Sequence, residues 1–275
     1  MSLTGIKIGI IGVGVIGSAI LESFRNNNLD VIGYDKYREP YQTTFDELLK
    51  TDIIFLCLPT LYCNKLKEYN KSAIHENCQK LEESGYNKLI VLKSTVEPGT
   101  TDQLCSQYAL EIIHNPEFLT ARTAKDDFDH QSHIVIGKSV VRPNTDYSLL
   151  VNIYQNYYWC EKQKISICNS LESETMKIAV NSFYAVKVQF FNELYDICNK
   201  LPNLDYGTVR RLMLNNGWIN PMHTEVPGHD GQLSYGGMCL PKDTNAFYQF
   251  LKKNNSLQGV IKATIDEHDS LRDID

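Results

Sequence analysis

The stretch Ile6–Ile20, IKIGIIGVGVIGSAI, decides the fold. A run rich in β-branched residues meets Gly12, and Gly12, Gly14 and Gly17 then form the spacing GxGxxG at the start of a helix-compatible segment. Each glycine answers a separate steric demand. The first permits a tight turn, the second lets a pyrophosphate approach the backbone, and the third packs helix on strand, while the amides at the helix start face phosphate charge. Asp35 ends the next apolar run, 18 residues after Gly17. A carboxylate there accepts hydrogen bonds from adenosine ribose hydroxyls and repels a 2′-phosphate, which favours NAD over NADP. Lys36 and Arg38 sit close enough to soften that preference, although such charges are more often simply solvated. The cofactor-binding set in this region is Gly12, Gly14, Val15, Ile16, Gly17 and Asp35.

Outward from this turn, the apolar runs DVIGYD, DIIFLCLP, KLIVLKS, EIIHNP and HIVIG alternate with helix-compatible segments. That rhythm predicts βαβ units and a doubly wound parallel sheet buried on both faces. After KISICN the period changes to three- and four-residue steps, beginning at LESETMKIAVNSFYAVKVQFFNELYDICNKL. The expected architecture is an α/β Rossmann-type domain over residues 1–169 and a mostly α-helical domain over 170–275. The segment from Asn215 to Pro241 is irregular, with a last helical stretch beyond it.

Composition narrows the function classes. The chain has 275 residues, a formal charge of −6 and an apolar fraction of 43%, which describes an acidic globular protein without the basic surface that nucleic acid or an anionic membrane requires. No apolar run approaches a membrane span, and the start lacks the architecture of a secretory signal. Cysteines at 57, 63, 78, 105, 160, 168, 198 and 239 show neither CxxC pairs nor zinc-ligand spacing, so a reduced, cytoplasmic protein without metal is expected.

Further polar residues fall where ligands of doubly wound sheets bind. CLPT places Pro59 and Thr60, and KSTVEPGTT places Ser94 and Thr95, at carboxyl ends of strands. HNPEFL puts Glu117 in a loop after another strand; alone, Thr95 and Glu117 read as ordinary turn residues. Lys177 and Asn181 share a helical face, with Glu174 one turn before; the pair suits either a solvated face or donors to a developing oxyanion. In SYGGMCLPKDT, Ser234–Thr244, a lone Cys239 follows two glycines, and cysteine by itself is more often buried packing than nucleophile.

Six segments in this order, IGVGVIG, DIIFLCLPT, KSTVEPGTT, NPEFL, ETMKIAVNSFYAVKVQFFNEL and SYGGMCLPKDT, resemble the UDP-glucose/GDP-mannose dehydrogenase family over nearly the whole chain. The resemblance implies NAD as cofactor, a helical domain that pairs two subunits into a homodimer, and four-electron oxidation of a nucleotide sugar's C6 alcohol to a carboxylate, with UDP-glucose as the expected substrate. It implies Cys239 as nucleophile, Lys177 and Asn181 as oxyanion donors, Asp243 with Thr95 orienting water, and Glu117 as base for thioester hydrolysis. The substrate would lie against Glu117, Phe118, Leu119, Lys177, Asn181, Tyr235, Gly236 and Gly237. A helix start after Cys239 would favour its thiolate.

Two departures stand out. Relatives commonly carry a second glutamate where this chain has Ala121, beside Arg122, and full-length relatives add a third domain, so the expectation is a chain lacking the C-terminal UDP-binding domain. The loop HTEVPGHDGQL, with His223, His229 and Asp230, occupies the place where relatives have a nucleotide-contacting loop; its histidines lack a third ligand with convincing metal spacing. The competing readings are a β-hydroxyacid dehydrogenase resembling 6-phosphogluconate dehydrogenase, which needs no thiol, and a truncated NAD-binding homologue that regulates or complements a full-length partner.

Overall fold

The computed structural model describes residues 5–38, 41, 43–157 and 164–272; Cys160 lies outside them. In chain order the elements are β1 Lys7–Ile11, α1 Val15–Asn26, β2 Asp30–Tyr34, α2 Phe45–Leu48, β3 Ile53–Leu56, β4 Tyr62–Cys63, β5 Glu68–Tyr69, α3 Ser72–Glu83, β6 Leu89–Leu92 and α4 Thr100–Gln107. They continue as β7 Glu111–His114, α5 Ala124–Asp129, β8 His133–Lys138, α6 Ser148–Tyr157, β9 Lys164–Asn169, α7 Ser170–Lys200, α8 Tyr206–Asn215, α9 Leu240–Lys253 and α10 Gly259–Leu271. The chain forms two compact units. The first runs to Leu61 and resumes over Tyr69–Lys177; the second holds Tyr62–Glu68 and the residues from Ile178 onward.

The first unit is a seven-stranded sheet of order β2-β1-β3-β6-β7-β8-β9. β1 pairs parallel with β2 and β3, and the parallel ladder continues through β6 to β7. Successive side chains of a strand alternate between faces, and both faces here are covered. Ile8, Ile10, Ile53, Phe55, Val91 and Ile113 belong to one core. Their neighbours Ile11, Ile54, Leu56, Ile90, Leu92 and Ile112 belong to the other. This double burial explains why β3 and β6 read as unbroken apolar runs, IIFL and LIVL.

The sheet is mostly parallel, as expected, and departs from that at β8. It pairs antiparallel with β7, Ile113 facing Lys138, and β9 then pairs parallel with β8. The link between β7 and β8 carries one helix. Its α5 packs on α1, with Phe128 edge-on to Phe24 at 5.9 Å and Ser23 bonded to Asp129. The link thus lies against the core that Ile113 of β7 and Ile134 of β8 share, and β8 runs back beside β7 in antiparallel pairing. Phe24 also meets Phe55 at 5.6 Å.

The second unit is helical, built on α7 from Ile178, with α8, α9 and α10; α9 packs on α10 and on β4. Tyr195 and Tyr206 join α7 to α8 edge-to-face at 5.3 Å. The final helical stretch expected as one piece is two helices, because the chain turns after Lys253 through Asn255, whose φ is 52°. The short strands β4 and β5 were also unforeseen: two residues each are too few to carry a readable period.

Candidate functional site

The glycine turn is built as its spacing demands. Gly12 has φ 89°, and a Cβ there would stand 2.5 Å from the Cys57 carbonyl oxygen. A Cβ on Gly17 would stand 1.9 Å from the Gly12 carbonyl oxygen, so α1 seats directly on the turn. At Gly14, the N-cap of α1, a Cβ would meet nothing within 4 Å. That open approach, with the α1 amides behind it, fits the pyrophosphate of a dinucleotide. Val15 and Ile16 begin the helix.

Asp35 accepts hydrogen bonds from the Val13 amide at 2.8 Å and the Tyr37 amide at 2.9 Å. Each carboxylate oxygen keeps a further lone pair for a ribose hydroxyl. Arg38 donates to the Val13 carbonyl at 3.1 Å, and Lys36 pairs with Glu76 at 3.1 Å. Both basic residues therefore have partners in the protein. Beyond β3 and β6, the Leu58 amide donates to Ser94 Oγ at 2.9 Å and the Thr60 hydroxyl to the Thr95 carbonyl at 2.7 Å. These bonds lock the strand ends carrying Pro59, Thr60, Ser94 and Thr95 to one another.

Glu117 and Lys177 meet in the same unit. Lys177 Nζ stands 3.4 Å from Glu117 Oε1, donates to the Glu117 carbonyl, and lies 5.1 Å from the centre of the Phe118 ring. Glu117 Oε2 accepts from the Leu119 amide at 2.6 Å. Both side chains are nearly buried, so the pair and its hydrogen bonds are held in low dielectric, where loss of one partner is costly. Sequence reasoning missed the support beneath them. Lys93, at the end of β6, is buried and donates to Asn115 Oδ1 at 3.1 Å, and burial pushes its ammonium down to about 8. Asn115 also accepts from Tyr154 at 2.5 Å and donates to the Val135 carbonyl at 2.6 Å. Its neighbour His114 is pushed down to about 3 by burial and stays neutral. A lysine closing an apolar strand was the available signal.

Glu174, flagged only for its spacing, is fully buried. It accepts from the Gly99 amide at 2.6 Å, the Thr101 amide at 2.7 Å and the Thr101 hydroxyl at 2.6 Å. Its carboxylate thus caps the start of α4, where the orphan amides and the helix dipole favour an acceptor. Burial raises its carboxyl to about 7 against those hydrogen bonds.

In the second unit Cys239 is the N-cap of α9 and is exposed. Pro241 occupies the first turn of the helix, where its missing amide costs nothing. Asp243 is 1% exposed, accepts from Asn181 Nδ2 at 2.6 Å through one oxygen, and pairs with Lys242 through the other. The structure thus brings Asn181 to Asp243 and Lys177 to Glu117, each pair inside its own unit. Tyr235 is buried, Gly237 has φ 76°, and Gly236 is pressed by Arg272. In the loop before Tyr235, His223 stacks on Tyr184 at 4.4 Å, and Asp230 pairs with Arg272 at 2.8 Å.

The glycines separate fold from binding. Gly17→Ala is expected to lower thermal stability sharply, because its Cβ enters the Gly12 carbonyl. Gly14→Ala should melt as the parent does yet lose about tenfold or more in NAD affinity by calorimetry, a fold-change of about 1.4 kcal/mol. Equal NAD affinity in Gly14→Ala would contradict the turn as the pyrophosphate seat.

Residues 38–158 match the NAD binding domain of the UDP-glucose/GDP-mannose dehydrogenase family, and residues 171–269 match its central domain. Residues 1–71 also match the D-isomer specific 2-hydroxyacid dehydrogenase NAD binding domain. The chain is similar to UDP-glucose 6-dehydrogenase of Rickettsia conorii, 29% identical over 230 residues that make up 80% of this chain and 49% of that protein. It spans about half the length of that curated relative. Its fold resembles a UDP-glucose dehydrogenase from Pyrobaculum islandicum, with a TM-score of 0.81 at 23% identity over 97% of this chain and 69% of the other. It also resembles a Mycobacterium tuberculosis 3-hydroxyisobutyrate dehydrogenase, with a TM-score of 0.70 at 13% identity over 95% and 91% of the two chains. With both domain models matched in order across most of residues 38–269, the chain belongs to the UDP-glucose/GDP-mannose dehydrogenase family and carries its NAD-binding domain.

Proposed function

We propose that this chain catalyses the NAD-dependent, four-electron oxidation of a nucleotide sugar's C6 alcohol to the uronic acid, with UDP-glucose as substrate and Cys239 as nucleophile. The observation that carries the reading is the setting of Cys239. It is exposed at the N-cap of α9, where amides favour a thiolate, and the first turn of that helix buries Asp243 against Asn181. By contrast, burial pushes the Cys57 and Cys78 thiols up to about 12, out of reach of nucleophilic work near neutrality.

Bound NAD supplies the hydride acceptor for both oxidations. In this reading the Cys239 thiolate adds to the C6 aldehyde and forms a thiohemiacetal. Loss of a second hydride from C6 leaves a thioester, and water then releases the acid and restores the thiolate. A thiol suits both steps because sulfur is a good nucleophile and a good leaving group. Lys177 and Asn181 donate to the developing oxyanions, Asp243 with Thr95 orients the water that takes the first proton, and Glu117 serves as base for hydrolysis. The Glu117 carbonyl holds the Lys177 ammonium, which fixes its direction before substrate arrives. Phe118, Leu119, Tyr235, Gly236 and Gly237 complete the proposed sugar contacts. The 3-hydroxyisobutyrate dehydrogenase likeness supports a second reading, a β-hydroxyacid dehydrogenase, whose chemistry requires no thiol.

The proposed assembly is a homodimer through α7. Phe183, Phe190 and Ile197 are 62%, 53% and 43% exposed, and their seven-residue spacing puts three large apolar side chains on one face. A cytoplasmic location suits a mechanism that needs a reduced thiol; no helix among the described residues is long and apolar enough to cross a membrane.

Cys239→Ser should bind NAD as the parent does, while NADH formation from UDP-glucose is abolished or stops after the first hydride. Full uronate production by that variant would overturn the nucleophile. Light scattering should give twice the mass of one chain, and a stable monomer at micromolar concentration would remove the dimer.

A further inference from the structure

Ser234 begins the cysteine loop in a strained backbone conformation. Its φ is 61°, a left-handed value that a side chain disfavours, and it is 3% exposed. Such a conformation persists only where its surroundings over-determine it, and here they do. From α7, Asn192 Oδ1 accepts the Ser234 amide at 2.8 Å and Gln189 Oε1 accepts its hydroxyl at 2.8 Å. With that proton used, Ser234 Oγ accepts from His268 Nδ1 of α10 at 3.0 Å, which fixes the Nδ1–H tautomer of His268. The His268 ring also lies flat on Tyr235, 4.0 Å between centres at 14°.

Arg272, just past α10, closes the arrangement. Its Nε donates to the Leu233 carbonyl at 2.6 Å, its Nη2 to the Ser234 carbonyl at 3.1 Å, and Nη2 pairs with Asp230 Oδ2 at 2.8 Å. Nη1 stands 2.2 Å from where a Cβ on Gly236 would be. Gly236 is therefore glycine because a guanidinium occupies its side-chain space. Gly237 follows with φ 76°, and Cys239 comes two residues later. The flat fork of Arg is needed here, since one group reaches two carbonyls, a carboxylate and a glycine face.

We infer that Arg272 and His268 are positioning residues for Cys239: they pin strained Ser234 and the face of Gly236, so that the glycine pair delivers the thiol to the N-cap of α9 in one geometry. The inference rests on the reading of Cys239 as nucleophile.

The test is the rate of Cys239 alkylation by iodoacetamide at fixed pH, followed on the Cys239 peptide by mass spectrometry. Alkylation needs no nucleotide sugar, so a chain that oxidises none leaves this experiment intact. Arg272→Met, folded and binding NAD as the parent does, should alkylate roughly fivefold more slowly, the size of one helix-terminus interaction. Arg272→Lys, which restores one donor, should fall between, and kcat should drop in the same order at unchanged KM for NAD. Parental alkylation rates in folded Arg272→Met overturn the inference. Should Arg272→Met not fold, Arg272→Lys and His268→Gln decide: slowing in both supports it, and parental rates in both overturn it.

Discussion

Helix α7 buries a row of polar side chains, and the protein's loops are held where those side chains need partners. Glu174, Lys177, Asn181, Gln189 and Asn192 are all nearly inaccessible to water. A buried donor or acceptor left unmatched costs about 1–3 kcal/mol, more when charged, a large fraction of a typical net stability. The five are matched by four different loops or helix starts. Glu174 holds the turn before α4, Lys177 the loop after β7, Asn181 the first turn of α9, and Gln189 with Asn192 the start of the cysteine loop. Within each unit, satisfying the helix therefore also fixes the loops that its side chains meet.

This arrangement explains why irregular segments carry the proposed chemistry without being loose. The loop after β7 rests on Lys93, Asn115 and Tyr154 below and on Lys177 beside it. The cysteine loop rests on side chains of α7 and α10 and on Arg272, and its strained Ser234 is affordable only because four side chains bind it. Preorganisation of this kind lowers the reorganisation that catalysis demands of its donors and acceptors.

Local chemistry was legible in the sequence, and distant pairing was not. The GxGxxG spacing and Asp35 marked a tight strand-to-helix turn and the end of β2, because each consequence lies within a few residues. The buried runs IIFL and LIVL declared a sheet covered on both faces. The direction of β8 escaped because HIVIG reads the same for either direction, and the segment before it docks through Phe128 and Asp129 onto α1, about a hundred residues earlier in the chain. Glu174 and Arg272 escaped for the same reason: an isolated acid or base looks solvated until the backbone it serves, 75 or 39 residues away, is placed beside it. Gly236 looked like room for a sugar, and the structure adds a second reason for it in the Arg272 guanidinium.

The central claim is that one thiol, Cys239, lets a single site carry out two successive oxidations. The most direct measurement is the ratio of NADH formed to product released during complete conversion of a limiting amount of UDP-glucose, with the product identified by mass spectrometry. The account predicts two NADH for each uronate and no free aldehyde. One NADH with an aldehyde or keto product would contradict it and place the chemistry with the hydroxyacid dehydrogenases.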